Sequence, residues 1–341
     1  MIKEKVDIWF DFTNPPHVNL FRPLLSYFEN NGLKVFSTAR DFVETTGLLD
    51  KYSITYSRLG THGGKHRIQK LIRLLQRNFQ LYRNVPDFKI SISSSFEAPE
   101  ISWIRNRPSI VFDDNEIAPN WLYAKFAKYV IAPSVIEIGN WQKSGINENK
   151  VIKYYGFKED IYIADYVPDA KFLTNIPFDS FVTVRPENIY AAYVPKNSRS
   201  IVSELIRSLS CKGYNILYLP RYEIDKTYVQ KQTNIFIPDK PFNGLDVAYF
   251  SDAVLTGAGT FAREAAILGR PAVSFFAGNQ LLAVDKCMID RGLIFYSRNV
   301  NDIINYLKTN PGKKSSINTS RSKIVQEEVF NILLKIYKKY A

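Results

Sequence analysis

The segment Asp252-Ala-Val-Leu-Thr-Gly-Ala-Gly-Thr-Phe-Ala-Arg-Glu-Ala-Ala-Ile-Leu-Gly-Arg-Pro271 runs from an apolar stretch through a glycine turn into a helical pattern. Ala253–Thr256 has the length and apolarity of a buried strand. Gly257 and Gly259 follow at once, and Thr260 is placed to cap a helix beginning Phe261-Ala-Arg-Glu-Ala-Ala-Ile-Leu268. Gly269 ends that helix, and Pro271 forbids its continuation. A strand feeding a tight turn and then a helix N-terminus presents backbone amides that favour a phosphate. Glu264, on the first turns, is within reach of a ribose beside that phosphate. A Gly-x-Gly also serves simply to permit a tight turn. The position of Glu264 and the apolar run Val273–Phe276 are what point to a nucleotide.

Outward from this segment, strand and helix patterns alternate along the whole chain. Strands are expected at 6–12, 34–38, 54–57, 88–92, 109–112, 129–132 and 151–155, with helices at 17–30, 41–51, 65–82, 97–105 and 121–126. The stretch from Gly156 to Pro177, broken by Pro168 and Asp169, reads as a hinge between domains. Beyond it strands are expected at 181–184, 215–219, 234–237, 253–255, 272–276 and 293–296, and helices at 198–210, 245–250, 261–268, 281–290, 301–308 and 319–340. Such alternation predicts an α/β protein with parallel sheets covered on both faces.

Thr256-Gly-Ala-Gly-Thr-Phe-Ala-Arg-Glu264 and the residues up to Val273 resemble the nucleotide-sugar motif of GT-B-fold enzymes. These include the UDP-GlcNAc 2-epimerases and the transferase that completes lipid II in peptidoglycan synthesis. The resemblance implies that Glu264 binds the ribose hydroxyls. Over nearly its full length the chain also resembles an archaeal and bacterial family, domain of unknown function 354. Ile8-Trp-Phe-Asp-Phe-Thr-Asn-Pro-Pro-His-Val18, Val184-Arg-Pro-Glu187 and the Gly257–Pro271 segment carry that match. It implies a GT-B-like fold, two Rossmann-like domains whose parallel sheets face a central cleft, and no particular reaction. The expected domains are 1–160 on the acceptor side, a hinge at 161–177, and 178–317 on the nucleotide-sugar side. A final helix at 318–341 is expected to cross back to the first domain, as GT-B proteins imply.

A chain of 341 residues, 45% of them hydrophobic, suits two packed domains rather than disorder. Cys211 and Cys287 are its only cysteines and form no disulfide framework or zinc spacing, which points to a reducing cytoplasm. The N-terminus enters a strand pattern almost immediately, so no signal peptide is expected. No apolar run approaches the ~20 residues of a membrane span.

Ligands of parallel α/β sheets bind beyond the carboxyl ends of the strands. In the first half those ends carry Asn14 and His17, His62, Ser93-Ser-Ser-Phe-Glu97, and Asp113-Asp-Asn-Glu116. Asn14, His62 and Glu97 are acceptor-side candidates. His17 fits two roles: a general base for a sugar hydroxyl, with a pKa naturally near the working range, or a group that caps and orients the turn. Asp113, Asp114 and Glu116 are alternative bases, ligands for a divalent cation, or simply a solvated acidic turn; Asp114 and Glu116 join His17 as catalytic candidates. His17, His62 and Asp114 could together hold zinc, but their spacing is no zinc signature, and no metal is expected. In the second half the strand ends carry Arg185 and Arg221, suited to a diphosphate through paired hydrogen bonds or to structural ion pairs. They also carry Gly257, Gly259, Thr260 and Glu264, and Asn279 and Gln280, which by the GT-B resemblance reach sugar hydroxyls. Arg263 departs from the epimerase pattern, which has an acidic residue beside the ribose glutamate. The Asn14-Pro-Pro-His17 turn likewise replaces the glycine-rich loop of the lipid II-forming enzyme.

The formal net charge of +12 is unevenly placed. Residues 51–86 contain eight Lys or Arg and no Asp or Glu, which suggests an anionic partner. Ile68, Leu71, Ile72, Leu75, Phe79 and Tyr82 follow helical spacing as an apolar stripe expected to pack inward, with Lys70, Arg73 and Arg77 on the other, basic side. That side is either solvated or a contact for anionic lipid through Lys65–Arg83, giving a peripheral place on the inner face of the membrane. No RNA-recognition motif is present, and no nucleic-acid partner is expected.

The expected activity is transfer of a sugar from a nucleotide-diphosphate donor, a UDP-sugar by preference, to a hydroxyl acceptor that is lipid- or glycan-linked. No cofactor is needed for that chemistry. A nucleotide-sugar epimerase or hydrolase is the alternative on the same fold, and a non-catalytic nucleotide-sugar-binding module is the second.

Overall fold

The computed structural model describes residues 5–61, 67–189, 194–195, 197–229, 232–312 and 317–341, with Arg67, Ile68, Lys70 and Leu71 described by their backbone alone. Two compact units result: Met1–Ala164 together with Ser322–Ala341, and Asp165–Arg321.

The first unit contains β1 (Val6–Phe12), α1 (Pro15–Asn30), β2 (Val35–Asp41), α2 (Val43–Lys51), β3 (Ser57–Thr61), α3 (Arg67–Asn84) and β4 (Phe88–Ser93). It continues through α4 (Glu97–Ile104), β5 (Ser109–Phe112), α5 (Trp121–Ala124), β6 (Tyr129–Pro133), α6 (Ile138–Lys143), β7 (Val151–Tyr154) and α7 (Lys158–Ile163). The seven strands pair in the order β3-β2-β1-β4-β5-β6-β7, all parallel. Burial on both faces explains why β1 reads as an almost unbroken apolar run: Ile8, Trp9, Phe10 and Phe12 are all buried. Pro15 and Pro16 open α1, where a missing backbone N–H costs nothing. The short helices α6 and α7 were not anticipated; each is six residues long, too short for a helical period to show.

Asp11 is the polar exception in β1. It is buried and accepts hydrogen bonds from Thr38 Oγ1 at 2.6 Å and from Arg77 at 2.6 Å. The same Arg77 guanidinium lies 3.3 Å from the buried Glu97 carboxylate, and its Nε donates to the Leu59 carbonyl at 3.1 Å. This corrects two expectations. Arg77 is not on a solvated basic face but 1% exposed beneath α3, and Glu97 is turned into the same ion network. The stripe expected to pack inward is instead exposed at Ile72 (49%), Leu75 (60%), Phe79 (60%) and Tyr82 (49%). An unpaired carboxylate inside a sheet protein costs more than a few exposed apolar side chains, so Arg77 sets the rotation of α3. Gly60, at φ +77°, makes room for it: a Cβ there would sit 2.5 Å from Arg77 Cγ.

The second unit contains β8 (Val182–Arg185), α8 (Val202–Cys211), β9 (Ile216–Tyr218), β10 (Ile235–Phe236), α9 (Gly244–Phe250) and β11 (Ala253–Thr256). α10 (Gly259–Ile267), β12 (Ala272–Ser274), α11 (Ala283–Asp290), β13 (Phe295–Tyr296) and α12 (Val300–Thr309) complete it. Its six parallel strands run β10-β9-β8-β11-β12-β13. Val184, Leu205, Leu255, Val273 and Ile303 form the centre of its core. The stretch expected as a hinge is ordered: Phe172 packs against Phe181, Phe242 and Phe250, and Tyr166 donates to Asp246 at 2.6 Å. Residues from Asp165 onward therefore belong to the second unit.

A last helix, α13 (Ser320–Tyr337), joins the first unit from Ser322. Ser322 donates to Asp160 and Gln326 to the Ile161 carbonyl, both at 2.9 Å, while Tyr337 reaches Asp7 at 2.8 Å. The Phe330 ring stacks on Tyr27 at 4.1 Å.

Candidate functional site

In each sheet the strand order reverses at one place, between β1 and β4 and between β8 and β11. A crevice opens beyond the carboxyl ends of strands at such a reversal, because the connections leave in opposite directions.

In the first unit that crevice is a cavity of about 370 Å³, lined by Asn14, His17, Ser94, Ser95, Asp113, Asp114, Asn115, Tyr123 and Lys158 among others. The Thr13 N–H points at His17 Nδ1 at 3.4 Å, and the Thr13 hydroxyl lies 3.2 Å from the same nitrogen. An N–H can only donate, so Nδ1 is an acceptor and the imidazole proton sits on Nε2. Burial lowers the His17 pKa to about 3, so the ring is neutral and acts as a hydrogen-bond donor. Asp114 is held by Lys158, whose Nζ lies 2.7 Å from one oxygen and 2.9 Å from the other.

Asp113 is different. Burial raises its pKa from 3.8 to about 7, with Asp114 adding to the effect. Hydrogen bonds from the Tyr123 hydroxyl and from the Asn115 N–H, at 2.8 Å, oppose that rise without cancelling it. The Tyr123 hydroxyl is in turn pushed well above its ordinary range by burial and by the Asp113 charge. Asp113 thus takes or gives a proton near neutrality, as a general base or acid must. Glu116 and Glu97 do not line this cavity, and His62 lies outside the described residues. Tyr123 and Lys158 went unsuspected: one reads as a core aromatic, and the other lies 44 residues from its partner.

In the second unit β8 and β11 bring Arg185 and the glycine turn side by side. Arg185 pairs in register with Thr256, and the Gly257 N–H donates to the Arg185 carbonyl at 3.1 Å. Burial lowers the Arg185 pKa to about 10, with the positive charge of Arg221 adding to it, so the side chain stays charged at neutral pH. Among the described residues no carboxylate lies within 4 Å of its guanidinium. The opposing charges of Glu264 and Asp225 act from further away. Arg221 is anchored by Nε to the Pro186 carbonyl at 2.9 Å.

The helix after the turn starts earlier than expected. α10 begins at Gly259 with Ala258 as its N-cap, and Thr260 is inside it, accepting from Arg263 at 3.2 Å rather than capping. No side chain caps this end, so the first-turn amides of Gly259, Thr260 and Phe261 have no intrahelical acceptor. Glu264 is buried on the second turn, and a Cβ at Gly244, the first residue of α9, would lie 3.9 Å from its Oε2. Arg263, the departure from the epimerase pattern, is turned away to Asp285 at 2.6 Å. Asn279 and Gln280 are exposed in the loop after β12.

Gly257 is fixed by packing. A Cβ there would lie 2.5 Å from the Glu187 Cα, and Glu187 is itself held by Ser200 at 2.7 Å and the Ile201 N–H at 3.1 Å. Gly257→Ala is therefore expected to cost about 1–3 kcal/mol, because no side-chain rotation relieves a clash with backbone. A thermal melt unchanged from the parent would show that the turn is slack.

No group of three or more His, Cys, Asp or Glu side chains among the described residues is arranged to hold a metal ion. Nor is any helix among them long and apolar enough to cross a membrane.

Two Rossmann-like units, each with its rim at a strand-order reversal, define a GT-B-like α/β protein. Solved structures share this fold. UDP-GlcNAc 2-epimerase from Methanocaldococcus jannaschii, in complex with UDP-GlcNAc and UDP, aligns with a TM-score of 0.73 at 15% identity, over 97% of this chain and 100% of that one. A putative UDP-N-acetylglucosamine 2-epimerase from Listeria monocytogenes gives 0.74 at 12%, over 99% and 98%. Anabaena Alr3699/HepE, in complex with UDP and glucose, gives 0.61 at 13%, over 97% and 100%. The chain belongs to the family described as protein of unknown function (DUF354), whose pattern matches residues 6–334. The uncharacterized protein MJ0665 of M. jannaschii is 29% identical over 335 residues, 92% of this chain and 94% of that protein.

Proposed function

We propose that the protein transfers a sugar from a nucleotide-diphosphate donor, with a UDP-sugar preferred, to a hydroxyl of a lipid- or glycan-linked acceptor. The observation that carries this reading is Arg185: a half-buried arginine that feels the charge of Arg221, on the strand paired with the one leading into the uncapped end of α10, at the strand-order reversal. That combination suits a diphosphate, whose negative charge would meet the Arg185 guanidinium and the helix amides. Glu264 would take the ribose hydroxyls, and Asn279 and Gln280 the sugar.

The cavity of the first unit would take the acceptor. An acceptor oxygen attacks the anomeric carbon, the bond from that carbon to the diphosphate breaks, and the nucleoside diphosphate leaves with the electron pair. The acceptor proton passes to Asp113. His17, donating from Nε2, orients the acceptor, and Arg185 with the α10 amides stabilises the charge growing on the leaving group.

Arg185→Gln and Glu264→Ala are each expected to weaken UDP binding roughly 10- to 100-fold, the worth of one charged hydrogen-bonding group. Calorimetry with nucleoside diphosphates measures this, with circular dichroism to check the fold. Affinities equal to the parent's for every nucleotide it binds would remove the second-unit rim from the site.

A second reading, a nucleotide-sugar epimerase or hydrolase, draws on the likeness to the solved epimerases. Incubation with UDP-GlcNAc and no acceptor separates the two. An epimerase or hydrolase converts the sugar nucleotide, and a strict transferase leaves almost all of it intact.

A further inference from the structure

We infer that the outward face of α3 and the end of α4 form a docking surface for an anionic lipid bilayer. The face is apolar where solvent meets it. Ile72, Leu75, Phe79 and Tyr82 recur at three- and four-residue spacing and are 49%, 60%, 60% and 49% exposed. Packed beside α3, α4 adds Trp103 and Ile104, each 53% exposed. The two helices are tied at this end by Arg105, whose guanidinium lies 5.3 Å from the Tyr82 ring and donates to the Val85 and Pro86 carbonyls at 3.0 and 2.9 Å.

The rotation of α3 that exposes this face is imposed from below. Arg77 is committed to Asp11 and Glu97, and no rigid-body turn of the helix hides Leu75 and Phe79 without breaking that network. The exposed stripe is thus a fixed feature of the fold. Large aliphatic and aromatic side chains held outward on one helix are the groups that enter the boundary between lipid head groups and acyl chains.

Charge selects the occupant. Residues 51–86 carry no acidic residue and, besides the buried Arg77, seven Lys or Arg, and Arg83 on α3 lies over the Phe79 ring at 5.6 Å. A second copy of this chain meeting the face across a two-fold axis would set the same basic segments against each other. An anionic bilayer satisfies both the apolar stripe and the positive charge. The earlier expectation of contact through a purely basic side changes accordingly: the arginines attract, and the apolar side chains insert.

Co-sedimentation of the full chain with vesicles of phosphatidylcholine, with and without phosphatidylglycerol, tests the proposal without reference to any sugar chemistry. The parent is expected to pellet with the mixed vesicles and far less with phosphatidylcholine alone. The double variant Leu75→Ser, Phe79→Ser is expected to lose about 30-fold in partitioning at any salt concentration, since half-buried Leu and Phe side chains each give roughly five- to tenfold. Arg73→Gln with Arg83→Gln is expected to lose about 30-fold at low salt and little at high salt, at about fivefold per charge. All four positions are exposed, so folding is retained. A parent that stays in the supernatant with mixed vesicles overturns the proposal. So does a Leu75→Ser, Phe79→Ser variant that pellets like the parent. A parent dimer in sedimentation velocity that this same variant dissociates assigns the face to a second copy and also overturns it.

Discussion

Replacing Asp113 with Asn is expected to slow turnover roughly 100- to 10,000-fold, the usual worth of a general base, while leaving UDP affinity unchanged. The sign of the pH dependence follows from the pKa of about 7 that burial imposes. A base works ionised, so the parent's rate should fall as pH drops below about 7 and level off above it. In Asp113→Asn that limb should vanish. His17, neutral with a pKa near 3, contributes no limb in the same range. The linkage to stability has the opposite sense. The folded state binds the Asp113 proton more tightly than the unfolded chain does, so this carboxyl favours folding at low pH. That contribution is lost as pH rises from about 4 to about 7, and Asn at this position should flatten the loss. Normal turnover by Asp113→Asn on a competent acceptor would move the base elsewhere, with Asp114 and Glu116 next to be changed.

Arg77→Leu is expected to destabilise the first unit by about 3–5 kcal/mol, a large fraction of the ~5–15 kcal/mol that holds most domains together. The side chain is 1% exposed and bonded to Asp11 at 2.6 Å, with Glu97 at 3.3 Å. Its removal leaves two carboxylates facing each other inside the fold. Much of the loss should return in the triple variant Arg77→Leu, Asp11→Asn, Glu97→Gln, in which no buried charge is left without its partner. Urea unfolding of the parent, the single variant and the triple variant at neutral pH measures this. Equal midpoints for Arg77→Leu and the parent at neutral pH would mean that the network contributes nothing net.

The fold was legible because parallel strands buried on both faces leave a plain mark. Trp9-Phe10, Ile110 to Phe112 and Val254-Leu255 are apolar runs too short for helices, and glycines and prolines punctuate the chain between them. The Gly257-Ala-Gly259 turn announced itself through residue type alone. The orientation of α3 did not. Ile72, Leu75, Phe79 and Tyr82 obey the spacing of a buried stripe, and what turns them outward is a carboxylate 66 positions before Arg77. A periodicity has no access to so distant a partner. The same limit applied to the acidic turn. Asp113 and Asp114 are adjacent and chemically identical, and what separates them is that Lys158 holds Asp114 while burial poises Asp113 near neutrality. Thr260 misled for a more local reason. A threonine after Gly-x-Gly has the form of a cap, yet the helix already begins at Gly259.

The return of α13 to the first unit bears on how the molecule comes into being. The second unit is one unbroken segment, Asp165–Arg321, inserted into the first. During synthesis it can close as soon as its own residues have emerged. The first unit, begun earlier, cannot: the partners of Asp160, Ile161, Tyr27 and Asp7 arrive only with Ser322, Gln326, Phe330 and Tyr337. Until the ribosome releases α13, the face of α1 and α7 that it covers is open to chaperones. The half of the protein translated first is thus the half finished last.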